Sequence, residues 1–150
     1  MPQKRVIYIP ETSNPLQEKF INYLMVDGKK NVARKLFSDT LKRISEKDKA
    51  PEKIFEKAIE NVKPPLEVRA KRIGGAVYQI PVEVKPNRQL ALAFRWIIQG
   101  CRVKRNAPMA KKLADELLAA VNGEGNAMKK KDDTMKMALA NKAFAHYAKY

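Results

Sequence analysis

Few side chains in this sequence could carry covalent or metal chemistry. There is one histidine, His146, and one cysteine, Cys101, about 45 positions apart. A nucleophile needs a base within hydrogen-bond reach and a third group to orient that base. No Gly-x-Ser-x-Gly elbow supplies such a set, and a lone Cys and a lone His give no metal-ligand spacing. Gly74-Gly75 lacks the Gly-Lys-Ser/Thr and the strand-to-helix context of a phosphate loop. Asp132 and Asp133 read as helix-start residues, where the helix dipole favours acids. Cys101 falls on an apolar helical stripe and reads as a small core residue. The sequence therefore reads as that of a non-enzyme with no cofactor and no metal.

The side chains suited to recognition are cations. From 69 to 105 the bases are Arg69, Lys71, Arg72, Lys85, Arg88, Arg95, Arg102, Lys104 and Arg105, and Glu83 is the one acid. An ordinary solvated face mixes both signs. On a helix of about 100° per residue, Arg88, Leu92, Arg95, Gln99 and Arg102 lie within about 40° of one line, with Leu90, Phe94, Ile97 and Cys101 opposite. Guanidinium forks grip phosphates through paired hydrogen bonds, and their planes stack on bases. Arg69, Lys71 and Arg72 extend the patch onto a strand. Lys29-Lys30, Lys129-Lys130-Lys131 and the N-terminal Lys4 and Arg5 add further clusters. Cations spread over the whole chain suit a folded RNA better than a short regular duplex. Tyr78 is placed either to stack on a base or to pack on the helices, and Trp96 reads as the edge of the core.

These residues need elements to position them. Residues 1–13 read as a basic tail with a short extended piece, Val6-Ile7-Tyr8-Ile9, ended by Pro10. Asn14, Pro15 and Gln17 have the spacing of a helix start. Leu16, Phe20 and Leu24 then recur every four residues, and Gly28 is suited to end that helix in a left-handed conformation. Val32, Ala33, Leu36, Phe37, Thr40, Leu41 and Ile44 stripe a second helix. Pro51 opens a third, along Ile54, Phe55, Ala58, Ile59 and Val62, and Pro64-Pro65 stops it. The period changes to two over 66–84. Leu66, Val68 and Ala70 alternate with charged residues, Gly74-Gly75 follows, and Tyr78, Ile80, Val82 and Val84 alternate again. This is a β-hairpin signature, with Pro81 keeping its strand off a central position. Two strands alone are marginal in water, so the hairpin must lean on the helices or on a partner. A fourth helix is predicted over roughly 88–103, a fifth from Pro108 to Asn122-Gly123, and a sixth over about 130–147 with Asp132 and Asp133 in its first turn. The expected fold is mainly α, a single domain over 1–150 of about six helices with a β-hairpin arm at 66–84 protruding between the third and fourth.

Lys and Arg number 31 against 16 Asp and Glu, a net charge of +15, and such a field attracts polyanions. Two other readings use the same residues. In one, helices around 32–62 form a DNA-binding helix-turn-helix, although the connection at 45–51 is longer than the usual turn. In the other, basic amphipathic helices lie on a membrane surface, although five or six apolar faces fit one another as a single core. No apolar run approaches the roughly 20 residues that cross a bilayer. The single cysteine fits a reducing cytosol or organelle matrix.

Several runs resemble one family. Leu24-Met25-Val26-Asp27-Gly28-Lys29-Lys30, Ala58-Ile59-Glu60-Asn61-Val62-Lys63-Pro64 and Ala93-Phe94-Arg95-Trp96-Ile97 are similar to segments of bacterial-type small-subunit ribosomal protein seven. So is the C-terminal Ala140-Asn141-Lys142-Ala143-Phe144-Ala145-His146-Tyr147. The most specific likeness is the hairpin, from Glu67-Val68-Arg69-Ala70-Lys71-Arg72 through Gly74-Gly75 to Tyr78-Gln79-Ile80-Pro81-Val82-Glu83-Val84. The resemblance implies a structural protein of the small ribosomal subunit, in the cytoplasm. It implies binding to the 3′ major domain of small-subunit ribosomal RNA and nucleation of head assembly. The implied partners are that RNA, neighbouring head proteins, the platform protein near the exit site, and messenger RNA and exit-site transfer RNA nearby, with no membrane. By match to the family's basic positions it assigns RNA contact to Lys29, Lys30, Arg69, Lys71, Arg72, Arg88, Arg95 and Arg102. Gln99, Lys129, Lys130, Lys131, Lys142, Lys4 and Arg5 complete the candidate set. The chain departs from the family in its tails, with only Lys4 and Arg5 before Glu11 and only Ala148-Lys149-Tyr150 after Tyr147.

Overall fold

A computed structural model describes residues 8–149. Asn14 starts the first helix as expected, its Oδ1 accepting the backbone N–H of Gln17 at 2.9 Å with Pro15 at the first helical position. Six α-helices follow the chain: α1 (Pro15–Leu24), α2 (Lys30–Ser45), α3 (Pro51–Val62), α4 (Pro86–Arg102), α5 (Met109–Val121) and α6 (Asn126–Ala140). Strands β1 (Leu66–Ile73) and β2 (Ala76–Glu83) lie between α3 and α4, and a 3₁₀ helix (Lys142–Lys149) follows α6. The fold is mainly helical with one antiparallel hairpin, as the change of period requires.

Four phenylalanines, one from each of α1 to α4, form the centre. Phe20 meets Phe37, Phe55 and Phe94 with ring centroids 5.5, 5.1 and 5.2 Å apart, at tilted or edge-on angles that suit aromatic quadrupoles. The apolar stripe of α5, Leu113, Leu117 and Ala120, joins the same core as α5 packs on α2, α3 and α4. Asn61 of α3 donates from Nδ2 to the carbonyls of Ala120 and Val121 at 3.0 and 3.2 Å, which satisfies orphan groups at the end of α5.

The hairpin turns at Gly74 and Gly75, whose φ values of 58° and 85° are those of a type I′ turn. Lys71 pairs with Tyr78, Arg69 with Ile80 and Val68 with Pro81. Residues directly opposite share a face, so this register puts the two apolar rows on opposite faces. Tyr78, Ile80 and Val82 share theirs with Lys71, Arg69 and Glu67. The hairpin leans on α6 and on the 3₁₀ helix. Tyr78 packs against Phe144 and Tyr147, with centroids 5.0 and 5.9 Å away, and Lys71 Nζ donates to the Tyr147 carbonyl at 3.0 Å.

Several expected boundaries are corrected. α1 ends at Leu24, capped by Met25, and Gly28 instead turns the loop before α2 with φ 71°. α6 begins four residues earlier than expected and stops at Ala140, so Asp132 and Asp133 are its seventh and eighth residues, past the first turn, and 142–149 form the tighter 3₁₀ helix. The reason for the early start is in α5. Buried Glu116 accepts the backbone N–H of Ala127 at 2.8 Å, capping a helix whose own N-cap residue, Gly125, has no side chain to do so. Tyr8 and Ile9 are exposed and in no strand, and Val6 and Ile7 lie outside the described residues.

Candidate nucleic-acid interface

α4 is the most enclosed helix bearing the candidate residues. Ala91, Leu92, Ala93, Phe94, Trp96, Ile97, Ile98 and Cys101 are all buried, which leaves water one narrow strip along its length. Arg88, Arg95, Gln99 and Arg102 are the exposed residues of that strip. At 1.5 Å per residue it spans about 21 Å. Leu92, placed on the same line by its angle, is corrected here: it is 8% exposed, because it sits at the edge of the strip that borders buried Trp96.

Each arginine of the strip meets a different neighbour. Arg88 and Arg69 both reach Glu67, at 3.5 and 3.2 Å, so one nearly buried carboxylate joins the base of the hairpin to the start of α4. Arg95 lies over the ring of Tyr23, its Cζ 5.7 Å from the centroid, a cation–π contact with α1. Gln99 shares a shallow depression with Trp96, Val103, Asn126 and Lys130. Arg102 donates from Nη2 to the Leu24 carbonyl at 3.4 Å and lines a cleft with Lys29. One exposed strip thus connects cations of β1, the α1–α2 loop and α6, which are far apart in sequence.

The remaining candidates are less free. Lys30 is 3.8 Å from Glu18, Lys71 is committed to the Tyr147 carbonyl, and Lys131 donates to the Asn61 carbonyl at 2.6 Å. Lys129–Lys131 lie within the first two turns of α6. Arg72 near the hairpin turn and Lys129 and Lys142 are exposed. Lys4 and Arg5 lie outside the described residues. Sequence reasoning missed a second basic cluster: Lys104, Arg105, Lys111 and Lys112 surround a depression of about 410 Å³ between α4 and α5. The Lys111-Lys112 pair one turn into α5 was the available signal. It also missed two buried acids. Glu18 forms an ion pair with Arg34, whose hydrogen bond holds the carboxyl below the ordinary carboxylate range despite the opposing effect of burial. Glu116 pairs with Lys104 at 3.5 Å.

Burial pushes the Cys101 thiol up to about 12, so it stays protonated and inert. Among the described residues no cluster of three or more acids, histidines or cysteines is placed to hold a metal ion. What the strip offers is guanidiniums spaced along one exposed line. The family whose description reads ribosomal protein S7p/S5e matches residues 1–142. The small ribosomal subunit protein uS7 of a Nitratiruptor species is 55% identical over 148 residues, covering 97% of this chain and 95% of that protein. The protein of the same name from Nitratidesulfovibrio vulgaris (strain Miyazaki F) is 50% identical over 98% of this chain and 95% of its own length. That of Lawsonia intracellularis is 49% identical with the same coverage. Fold, charge and sequence agree, and the chain belongs to the ribosomal protein S7p/S5e family.

Proposed function

We propose that this protein is a structural constituent of the small ribosomal subunit that binds the 3′ major domain of its RNA and nucleates assembly of the head. The whole chain, 1–150, acts as one RNA-binding unit with a tail at 1–13 and an arm at 66–84. The arm lies near the exit site for transfer RNA and near the messenger path, beside neighbouring head proteins and the platform protein. Its site of action is the cytoplasm. Membership in a family of ribosomal proteins makes it a structural protein and not an enzyme.

The observation that carries the RNA-binding reading is the strip on α4. A helix buried on every other side keeps three arginines and a glutamine in water, and the arginines meet Glu67, the Tyr23 ring and the Leu24 carbonyl in turn. Arginines that served only solubility would need no such placement. The RNA-contacting set is Arg88, Arg95, Gln99 and Arg102, joined by Lys29 from the α1–α2 loop, Lys30 at the start of α2, and Arg69, Lys71 and Arg72 from the arm. Lys129, Lys130, Lys131, Lys142, Lys4 and Arg5 flank it.

The test is a titration of the full chain with an RNA fragment of the 3′ major domain, against duplex DNA of equal length at matched salt, together with co-sedimentation with small subunits at high salt. The fragment is expected to bind at least tenfold tighter than the duplex. Equal affinity for the two, or loss from subunits at high salt, would overturn the reading.

A further inference from the structure

Beside the arginine strip, the end of α1, the start of α2 and the start of α5 enclose a cleft of about 220 Å³. Its walls are aliphatic: Leu24, Val26, Val32 and Met109. Val26 and Val32 are 55% and 64% exposed, so two aliphatic side chains of one cleft stand open to solvent together. Two cations, Lys29 and Arg102, stand in the same lining. Drug-sized ligands use pockets of about 300–1,000 Å³, so this one suits something the size of a single heterocycle.

We infer that this cleft receives one unstacked nucleobase of the bound RNA, with Lys29 and Arg102 taking the phosphates on either side of it. The inference rests on the RNA-binding reading and deepens it by naming a base-binding position. Its motive is the chemistry of the lining, aliphatic walls that share one cleft with two cations. A nucleotide repeats phosphate, base, phosphate. An acidic protein segment gives no such alternation, so a peptide side chain fits the charges less well. Single-stranded or bulged bases are the form in which proteins read RNA by contact with the base. The Arg102 guanidinium, which donates to the Leu24 carbonyl, is a planar cation in the same lining. Val26 and Val32 stay exposed because the base, not another part of the chain, covers them.

The test uses the full chain with Val32→Asn and Lys29→Ala. Val32 is exposed on α2, and Asn and Val have similar helix propensities, so the fold is retained. Val32→Asn is expected to weaken binding to the 3′ major domain fragment by about 5–10-fold, the low end of what one base contact contributes. The dependence of affinity on salt should not change, since no phosphate contact is lost. Lys29→Ala should flatten that dependence. In parallel, adenosine 5′-monophosphate should shift the methyl resonances of Val26 and Val32, while ribose 5-phosphate should not. Wild-type affinity for Val32→Asn, a flattened salt dependence in that variant, or methyl shifts produced equally by ribose 5-phosphate would each overturn the inference and leave the RNA-binding reading standing. Methyls that respond to an acidic, leucine-rich peptide and not to the nucleotide would assign the cleft to a protein neighbour instead. Failure of the wild-type chain to bind the fragment would overturn both.

Discussion

Glu18 and Glu116 are 2% and 0% exposed, and each is held by partners distant in sequence. Glu18 is bound by Arg34, with Lys30 at 3.8 Å, and the folded state favours its charged form. A depressed carboxyl pKa contributes stability that is present above the ordinary carboxylate range and is lost as pH falls through the lower, folded value. Acid unfolding followed by circular dichroism is expected to show this loss below about pH 4.5, and Glu18→Gln to shift the acid limb of the curve. Arg34→Ala should cost about 2 kcal/mol at pH 7 in a denaturant melt. That is less than the 3–5 kcal/mol of a fully buried pair, because Arg34 is a third exposed and Lys30 remains. On α4 the opposite faces predict opposite phenotypes. Arg95→Ala and Arg102→Ala should melt within about 1 kcal/mol of wild type and each lose about one to two decades of RNA affinity. Ile97→Ala should lose about 2–5 kcal/mol of stability through the cavity it leaves. An Arg95→Ala protein that melts like Ile97→Ala and binds RNA normally would reverse the assignment of the faces.

Elements whose signals are local were legible in the sequence. The Asn14-Pro15 start, the Pro51 start, the Gly-Gly turn and the 3.6-residue stripes all fix conformation through neighbours within four positions. What could not be read is what depends on distant partners. The start of α6 lacks a Ser, Thr, Asp or Asn cap because Glu116 supplies the cap from α5. The stop of α6 is local, Asn141 turning its Nδ2 back to the Met137 carbonyl at 2.8 Å, a signal within four positions that the sequence reading passed over. The arginine strip was legible because it follows a helical period. The Leu92 error came from treating 40° as exposed when the neighbouring Trp96 side is core. The arm's support was legible only as a need, and the 3₁₀ helix meets it through Phe144 and Tyr147. Phe144→Ala should therefore speed amide exchange at residues 70–79 by about 2–10-fold, the worth of one aromatic pair. Amides of α3 and α4 should exchange as in wild type. Equal acceleration in both places would mean that the segment supports the core rather than the arm.

At the scale of the whole molecule, charge and shape act together. A net +15 over 150 residues opposes compaction, and the aromatic hub of α1 to α4 holds against it. Acids are spent where they organise cations, as Glu67 does between the arm and α4. Binding should therefore be strongly electrostatic. A protein that neutralises about 6–10 phosphates loses roughly 10³–10⁵ in affinity for duplex DNA between 50 and 200 mM salt, and a similar loss is expected for the RNA fragment. A fluorescence titration in which affinity changes less than tenfold over that range would contradict a footprint of this size.

The tie between Lys71 and Tyr147 has a consequence for biosynthesis. The two residues are 76 positions apart, so at about 5–20 residues per second the arm leaves the translating ribosome about 4–15 s before its brace is made. A hairpin closes in about 1–10 μs, and two strands alone are marginal in water. For those seconds the nascent arm opens and closes with Tyr78 uncovered and both strand edges unguarded. Maturation of the arm is thus a late event set by chain completion, whereas the four-phenylalanine hub is available as soon as Phe94 emerges. A chain interrupted before residue 142 carries a formed core and an arm braced by α6 alone, without Phe144 and Tyr147 over Tyr78.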